Sequence, residues 1–346
     1  MKTEAIVLRA HGGPEVLVRE TIDLPEPGPR EVRVRVRAVA LNHLDLWVRR
    51  GIAHLKHDYP HRLGADIVGE IEALGPGARG CKIGDRVVVS PGVSCGVCEK
   101  CLAGADNLCK SYKILGENTQ GGYARHVNIP DANVLAMPEG LAFTDVAAVP
   151  LVFLTAWQML VVKANVRPGQ TVLVQAAGSG VSSAAIQIAK LFGARVIATT
   201  GTDAKAERAR ALGADDVVNY ATQDFVAECK RITSKRGVDI VVEHVGGDVF
   251  TKSILAAAWG GKVVTCGATA GFTPAVDLRQ IFFRQVEILG STMGSKGSLF
   301  TILDLVAKKK LRPVVDRVMP LWEAREAHRV LEERQAFGKV VLEVDG

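Results

Sequence analysis

The amino-acid sequence predicts an α/β protein that consists of a small β-barrel and a doubly wound parallel sheet. Its 346 residues are too many for one ordinary hydrophobic core, which favours two domains. Residues 1–150 form short strand-like segments interrupted by turns, whereas strands alternate with helices after about Leu154. A hydrophobic content of 48% and a charged content of 23% are typical of a soluble globular protein.

The barrel is predicted from alternation and from turn residues. Residues Glu31–Val39 alternate between valine and arginine, which is the period-two pattern of a half-buried strand. Turn residues follow short apolar runs at Gly75–Gly77, at Gly84–Asp85 and at Pro91–Gly92. These segments indicate an irregular barrel, into which a cysteine-rich lobe of about residues 91–112 is inserted.

The parallel sheet is predicted from a series of alternating elements. Apolar strands are expected at Thr171–Ala177, Arg195–Thr200, Asp216–Tyr220, Val238–Val245, Lys262–Cys266 and Val286–Gly290. Helices are expected at Val181–Phe192, Ala204–Leu212 and Phe225–Thr233. Such a series predicts a doubly wound sheet covered by helices. From about Lys296 the chain returns to a helix, Leu299–Lys308, and then to mixed strand and helix.

Four cysteines lie within the inserted lobe, at Cys95, Cys98, Cys101 and Cys109. This spacing delivers four thiolates to one tetrahedral zinc ion, and a site closed by four thiolates is structural rather than catalytic. Two disulfides are the alternative. Residues Met1–Arg9 read as a strand and lack the apolar stretch of a secretion signal, which favours a reducing, cytoplasmic location. We therefore predict one structural zinc per chain.

Charge and hydropathy limit the partners of the protein. The net charge of +6 is spread along the chain without a basic stripe, so no nucleic-acid partner is expected. No apolar run reaches the roughly 18 residues of a membrane helix, so no membrane partner is expected either. A small, anionic ligand suits the positive charge.

A glycine-rich turn connects the first strand of the series to its first helix. The turn contains Gly178, Ser179, Gly180 and Val181. Backbone N–H groups and the helix dipole at such a turn bind the pyrophosphate of a dinucleotide. A serine stands where the fingerprint has its third small residue, and serine is small enough for the same close packing.

The end of the second strand indicates which dinucleotide binds. Enzymes that use NAD place an acid there for the ribose 2′-hydroxyl, whereas this strand ends at Thr200 without a carboxylate. Lys205 and Tyr220 follow nearby and suit a 2′-phosphate, so NADP(H) is favoured over NAD(H). Two alternatives stay open: Asp203 could supply the missing acid, and Lys205 could be an ordinary solvated lysine.

With these pieces placed, the chain resembles the medium-chain dehydrogenase/reductase superfamily. The resemblance rests on PEPGPREVRVRV near the start, GDRV at 84–87, the cysteine lobe, QGGYA at 120–124, AAGSGVSSAAIQIAK and the closing GKVVLEV. It implies a GroES-like catalytic domain of residues 1–153 and 297–346 around a Rossmann domain of residues 154–296. It also implies that Thr155 and Gly267 contact the cofactor, and that the four cysteines match the family's structural-zinc lobe.

The catalytic zinc ligands of the zinc alcohol dehydrogenases are missing from the matching positions. Asn42 stands in place of the cysteine ligand, Ala65 in place of the histidine, and residues 150–157 contain no cysteine or acid. The loop instead resembles that of the zinc-free quinone oxidoreductases, which have an Asn and an Asp at the positions of Asn42 and Asp45. The NADPH pocket of those enzymes has the elements seen here as Gly201, Thr202, Lys205, Asn219 and Tyr220. Trp47 departs from their pattern, where a Tyr is common.

The resemblance implies hydride transfer to a quinone or an α,β-unsaturated carbonyl. Such a reaction leaves an enolate, which needs less stabilisation than the alkoxide formed from a ketone. Asn42 could donate a hydrogen bond to the substrate oxygen, His43 could relay a proton, Asp45 could orient the loop, and Trp47 could line the pocket. Asn42 capping its own loop is the alternative for that residue.

Two alternative functions stay open, and the sequence also predicts a homo-oligomer. The protein could be a zinc alcohol dehydrogenase with unorthodox ligands from His43, His54, His57, His61 and Asp66. It could also be a non-enzymatic NADPH-binding protein. Residues Val286–Met293 form an apolar strand late in the series, which predicts an exposed sheet edge and a homodimer or homotetramer.

Overall fold

The computed structural model describes residues 1–52 and 55–345. The strands are β1 (Lys2–Val7), β2 (Val18–Asp23), β3 (Glu31–Ala40), β4 (Asp66–Leu74), β5 (Arg86–Val89), β6 (Gly92–Val93), β7 (Lys113–Ile114), β8 (His126–Pro130), β9 (Val134–Ala136), β10 (Thr171–Val174), β11 (Arg195–Thr200), β12 (Asp216–Asn219), β13 (Val238–Glu243), β14 (Ala257–Thr265), β15 (Glu287–Gly290), β16 (Val315–Pro320) and β17 (Lys339–Glu343).

The helices are α1 (His43–Arg50), α2 (Glu99–Leu102), α3 (Phe143–Ala147), α4 (Pro150–Trp157), α5 (Gly180–Leu191), α6 (Asp203–Ala211), α7 (Phe225–Ile232), α8 (Gly247–Ala256), α9 (Arg279–Phe282), α10 (Lys296–Ala307) and α11 (Ala324–Glu332). The chain divides into two compact units. The first contains Met1–Leu151 and Ser295–Gly346, and the second contains Val152–Gly294. None of the described helices is both long and apolar enough to cross a membrane.

The first unit is built on a mainly antiparallel sheet. Its strand order is β16–β17–β3–β4–β5–β9, with β8 also paired to β3. The valines of β3 are buried because the strand pairs on both sides and alternates its side chains. They join a core with Ile67, Ile129 and Leu342 from the neighbouring strands. β17 comes from the end of the chain, so the C-terminal segment completes a sheet that the N-terminal segment begins.

The second unit contains a parallel sheet with the order β12–β11–β10–β13–β14–β15. The order reverses between β10 and β13, and a ligand of such a sheet binds beyond the carboxyl ends of the strands at that reversal. The central strands β10, β11 and β13 are largely buried and rich in valine and isoleucine, as a parallel sheet with both faces covered requires. The predicted α/β class, with a doubly wound parallel sheet, is therefore confirmed.

Among the strands of the parallel sheet and the helix that follows it, three predicted boundaries shift by three residues or more. β14 begins at Ala257 rather than at Lys262, because the strand continues through an irregularity in its pairing with β13. β10 ends at Val174, since the chain turns at Ala176, whose φ is 51°. α10 begins at Lys296 rather than at Leu299.

Candidate functional site

The ends of three neighbouring strands bring Asn42, Asp66 and Lys339 together. β3 lies between β17 and β4 and runs antiparallel to both. The end of β3 therefore meets the beginnings of the other two strands, and Ala40 pairs in register with Asp66 and with Val341. Asn42 follows β3 directly, Asp66 begins β4 and Lys339 begins β17.

A buried ammonium group contacts two side-chain oxygens in this cluster. Lys339 Nζ donates to Asn42 Oδ1 at 2.6 Å and to Asp66 Oδ2 at 2.9 Å. Asn42 Nδ2 donates to Asp66 Oδ2 at 3.0 Å and more weakly to Ala40 O at 3.4 Å. The N–H of Leu151 donates to Asp66 Oδ1 at 2.7 Å. Asn42, Asp66 and Lys339 are only 6%, 0% and 4% exposed, so water screens these interactions weakly.

The carboxylate of Asp45 ties the loop before α1 to the segment before β4. Its Oδ2 accepts the backbone N–H of Asn42 at 2.7 Å, and its Oδ1 accepts the backbone N–H of Gly64 at 2.9 Å. Burial raises the pKa of Asp45 to about 6, although these two hydrogen bonds act in the opposite direction. The position of Asn42 therefore depends on the position of Gly64.

His43 and Trp47 lie on α1, immediately after Asn42. Their ring centroids are 6.5 Å apart and both side chains are half-buried. The residues predicted for catalysis, Asn42, His43, Asp45 and Trp47, thus lie on one loop and the helix that follows it.

The residues around Asn42 do not fit a catalytic zinc. Ala65 carries no donor atom, and the side-chain oxygens Asn42 Oδ1 and Asp66 Oδ2 both accept hydrogen bonds from the Lys339 ammonium. A second cation at the same oxygens would be repelled by that ammonium group. The cysteine lobe does have such a donor set. Within residues 1–52 and 55–345, its four cysteines are the Cys, His, Asp or Glu side chains that lie close enough together to hold a metal ion.

The alternative set of metal ligands is brought together only in part. His54 lies outside the described residues. The ring centroids of His57 and His61 are 4.3 Å apart. His57 Nε2 bonds to Glu117 O, and His61 Nε2 bonds to Gly116 O. Burial lowers the pKa of His61 to about 4. Asp66 pairs with Lys339 rather than with these histidines.

The cysteine lobe forms a closed site with four sulfur donors. The ligand atoms of Cys95, Cys98, Cys101 and Cys109 all lie within 4.8 Å of one another. The sulfurs of Cys98 and Cys101 are 3.5 Å apart, and those of Cys95 and Cys101 are 3.9 Å apart. These separations exceed a disulfide bond of about 2.05 Å and suit thiolates around one ion.

The backbone of the lobe also favours thiolates. The N–H of Cys98 donates to Cys95 Sγ at 3.4 Å. Together with the N–H of Val97, it lowers the pKa of the Cys95 thiol to about 6. β6 pairs with β7 at the base of the lobe, while α2 carries Cys101. The donor set fits zinc, and the chain has a four-cysteine structural zinc site.

The glycine-rich turn lies at the reversal of strand order in the second unit. Gly178 precedes Ser179, which caps α5 and accepts the N–H of Ser182 at 3.1 Å. The first-turn N–H groups of Gly180 and Val181 have no partner within the helix, and that turn contains no acidic residue. This terminus therefore fits the pyrophosphate of a dinucleotide.

The end of β11 carries the residues predicted to select the cofactor. Thr200 is buried and its hydroxyl donates to Thr202 O at 3.2 Å. The N–H of Lys205 bonds to the hydroxyl of Thr202, in the first turn of α6. Tyr220 is 50% exposed and lies against Gly201, where an added Cβ would be 2.7 Å from the Tyr220 hydroxyl.

Three further residues were predicted to lie near the cofactor or to replace its acid, and all three are in the second unit. Asp203, the alternative acid, accepts a hydrogen bond from Asn219 Nδ2 at 2.9 Å. Thr155 is buried in α4. Gly267 follows β14, and its carbonyl accepts the hydroxyl of Thr265 at 3.2 Å.

Sequence reasoning missed two residues that touch these sites. Lys339 lies in the closing GKVVLEV motif, which indicates a strand but gives no role to the lysine. His244 follows β13, and its Nε2 lies 3.1 Å from Ser179 Oγ and 2.8 Å from Ser182 Oγ. Burial lowers the pKa of His244 to about 4, so it is neutral beside the pyrophosphate turn. No periodic pattern distinguishes such a histidine.

Known proteins match almost the whole chain. A model of zinc-binding dehydrogenases matches residues 180–308, and a model of the alcohol dehydrogenase GroES-like domain matches residues 28–139. A solved structure described as an NAD-dependent alcohol dehydrogenase is 56% identical, with a TM-score of 0.96 over 99% of this chain and 100% of that chain.

Two curated relatives carry different names. The NAD-dependent alcohol dehydrogenase of Sulfolobus acidocaldarius is 30% identical over 99% of this chain and 99% of the relative. The quinone oxidoreductase of Homo sapiens is 29% identical over 96% of this chain and 94% of the relative. The fold, the four-cysteine site and these matches agree: the chain belongs to the medium-chain dehydrogenase/reductase superfamily.

Proposed function

We propose that this NAD(P)-dependent oxidoreductase transfers a hydride to a quinone or an α,β-unsaturated carbonyl without a catalytic zinc. The observation that carries the proposal is the donor set around Asn42. At the positions that match the three zinc ligands, the chain has Asn42, Ala65 and residues 150–157, which include no cysteine, histidine or acid. The oxygens Asn42 Oδ1 and Asp66 Oδ2 bond instead to the Lys339 ammonium.

Asn42 would stabilise the charge that develops on the substrate oxygen. When bound, the nicotinamide supplies the hydride. An enolate spreads its negative charge over several atoms, so one well-placed hydrogen bond can suffice. Asn42 Nδ2 has one N–H bonded to Asp66 at 3.0 Å and one directed at Ala40 O at 3.4 Å. The second hydrogen bond is the weaker one, so this N–H is the one that would exchange Ala40 O for a substrate oxygen while the amide keeps its orientation.

His43, Asp45 and Trp47 have supporting roles in this proposal. His43, next to Asn42, would relay the proton that completes the reduction. Asp45 would hold the loop through its bonds to the N–H groups of Asn42 and Gly64. Trp47 would line the pocket beside His43.

NADP(H) is the proposed cofactor. The end of β11 lacks the acid that binds a ribose 2′-hydroxyl, and Asp203 is bonded to Asn219. Lys205 and Tyr220 offer a cation and a hydroxyl to a 2′-phosphate. The relatives named as NAD-dependent favour NAD(H), so the preference needs measurement.

A zinc-dependent alcohol dehydrogenase is the second candidate. The structure that is 56% identical is described as an alcohol dehydrogenase, which favours alcohol substrates. Such an enzyme would need ligands other than those at the matching positions. A purely non-enzymatic role does not suit a chain that belongs to a family of oxidoreductases.

The test is a substrate screen on protein whose zinc has been counted. Quinones, enones, aldehydes and alcohols are assayed with NADPH and with NADH, before and after treatment with a chelator. We expect quinone or enone reduction that survives the chelator, with one zinc per chain. Primary-alcohol oxidation that is lost with the chelator and restored by zinc would establish the second candidate.

Asn42→Ala tests the role of the amide. It should lower kcat about ten- to a hundredfold, which corresponds to about 1–3 kcal/mol for one lost hydrogen bond, and leave the Kd of NADPH unchanged. Asn128→Ala is the matched control, because half-buried Asn128, on β8, also donates a hydrogen bond to a backbone carbonyl, Pro25 O at 3.0 Å. Equal kcat values for the two variants would remove Asn42 from the mechanism.

A further inference from the structure

We infer that Lys339 and Asp66 form a positioning pair that fixes the orientation of the Asn42 amide and strengthens it as a hydrogen-bond donor. This inference rests on the proposed function, in which Asn42 donates to the substrate oxygen. Neither charged residue needs to touch the substrate for this role, since both act through Asn42.

The two ends of the Asn42 amide face opposite charges. Oδ1 accepts from the Lys339 ammonium at 2.6 Å, while Nδ2 donates to the Asp66 carboxylate at 3.0 Å. Rotating the amide by half a turn would place its N–H groups against an ammonium and its oxygen against a carboxylate. Both new contacts would be repulsive, so the charges select one orientation.

Burial makes this selection strong. Lys339 and Asp66 are 4% and 0% exposed, so neither water nor salt screens their fields as it would at the surface. Asp66 is held by the N–H of Leu151 at 2.7 Å, and Lys339 and Asp66 also bond to each other at 2.9 Å. The pair is therefore fixed by β4, β17 and the start of α4, independently of Asn42.

The ammonium also changes the donor strength of the amide. A cation on Oδ1 draws electron density away from Nδ2, and hydrogen bonds linked in this way strengthen one another. The N–H of Asn42 that now meets Ala40 O becomes a better donor to a developing oxyanion. Lys339 thus contributes to the stabilisation of the enolate through the amide.

The first test compares Lys339→Met with Lys339→Arg. Lys339→Met should lower kcat for the enone or quinone about ten- to a hundredfold, as expected for one lost charge-assisted hydrogen bond, with little change in the KM of NADPH. Lys339→Arg keeps the cation and should recover most of the kcat. Lys308→Met is the control, because Lys308 forms an exposed pair with Asp304 at 2.7 Å and should leave kcat unchanged.

Lys339→Met leaves the buried carboxylate of Asp66 unpaired, which could prevent folding. Lys339→Met/Asp66→Asn removes both charges and keeps the inference testable. This double variant should fold, yet its kcat should stay low because the amide has lost its orientation. A double variant with the kcat of the unaltered protein would overturn the inference.

The decisive measurement is a double-mutant cycle with Asn42→Ala. If Lys339 acts through Asn42, then Asn42→Ala should cost almost nothing further in kcat when Lys339 is already Met. Two independent effects, which multiply, would show that Lys339 is merely structural and would overturn the inference. The same cycle is measured on the unfolding midpoint, which needs no activity.

The two readouts separate the inference from the proposed function. Absence of quinone and enone turnover in the unaltered protein refutes the proposed function alone, provided that the unfolding cycle still shows coupling between Asn42 and Lys339. Turnover of a quinone or enone with no coupling between Asn42 and Lys339 in the kcat cycle refutes the positioning pair alone.

Discussion

Gly64 allows a matched test of how the loop that carries Asn42 is held. The backbone of Gly64 has φ = +96°, a conformation that strains any residue with a Cβ. A Cβ at this position would lie 2.5 Å from Tyr123 Cδ1 and 2.8 Å from Val39 Cγ2. Tyr123 cannot move freely, because its ring is fully buried and its hydroxyl lies 3.1 Å from His328 Nε2.

Gly64→Ala should therefore destabilise the protein by two separable amounts. The left-handed backbone costs about 1–2 kcal/mol for a residue with a Cβ. Overpacking against Tyr123 and Val39 adds about 1–3 kcal/mol. Gly84→Ala isolates the second amount, since Gly84 has φ = +89° but nothing within 4 Å of the added Cβ.

The assay compares the unfolding midpoints of the two variants with that of the unaltered protein. Gly64→Ala should melt several degrees below Gly84→Ala, at about 2–4 °C for each kcal/mol of extra destabilisation. It should also lower kcat, because the N–H of Gly64 holds Asp45, whose other oxygen holds Asn42. Equal midpoints for the two variants would refute the packing argument.

Four further outcomes are expected. Cys98→Ser should abolish the one zinc per chain and lower the unfolding midpoint, whereas Cys81→Ser should keep the zinc; an unaltered protein without zinc would contradict the assignment. Lys205→Ala should raise the Kd of NADPH more than that of NADH, and equal affinities of the unaltered protein for both cofactors would argue against NADP(H). Burial lowers the pKa of His328 to about 3, so protonation of this side chain alone should lower the stability by about 2 kcal/mol at pH 5, in addition to the losses from His61 and His244, and His328→Gln should make the pH dependence shallower by that amount; an unchanged pH dependence of stability would contradict this. β15, at the sheet edge, should pair between two copies, so light scattering should give at least a dimer at micromolar concentration and a monomer would exclude this.

The parts of the fold that the sequence predicted well are encoded over short distances. β11 is observed at Arg195–Thr200 as predicted, because its apolar run is bounded by a turn on each side. The cysteine lobe follows the same logic, since its four ligands lie between residues 95 and 109. Where pairing overrides local signals, prediction failed: the strand was expected to begin at Lys262, yet β14 begins at Ala257, which pairs with Val238 of β13 before an irregularity in the pairing.

For the cluster around Asn42, the sequence could predict only which zinc ligands are absent. The sequence indicated that Asn42 and Ala65 replace metal ligands, because those positions lie in local motifs. It could not indicate what contacts Asn42, because Lys339 lies 297 residues away. The apolar run of β17 indicates a strand but not its neighbour, and only the pairing of β17 with β3 places the ammonium at the amide.

This difference bears on how the function is assigned. A missing ligand set is compatible with an enzyme that binds zinc elsewhere, as the alternative histidine ligands illustrate. The buried Lys339 ammonium, in contrast, is direct evidence about the site, because it bonds to Asn42 Oδ1 and to Asp66 Oδ2. It stabilises the negative charge of the Asp66 carboxylate and holds the Asn42 amide without a metal. The contacts of Lys339 therefore support the proposed metal-free hydride transfer more strongly than does the absence of cysteine and histidine at the matching positions.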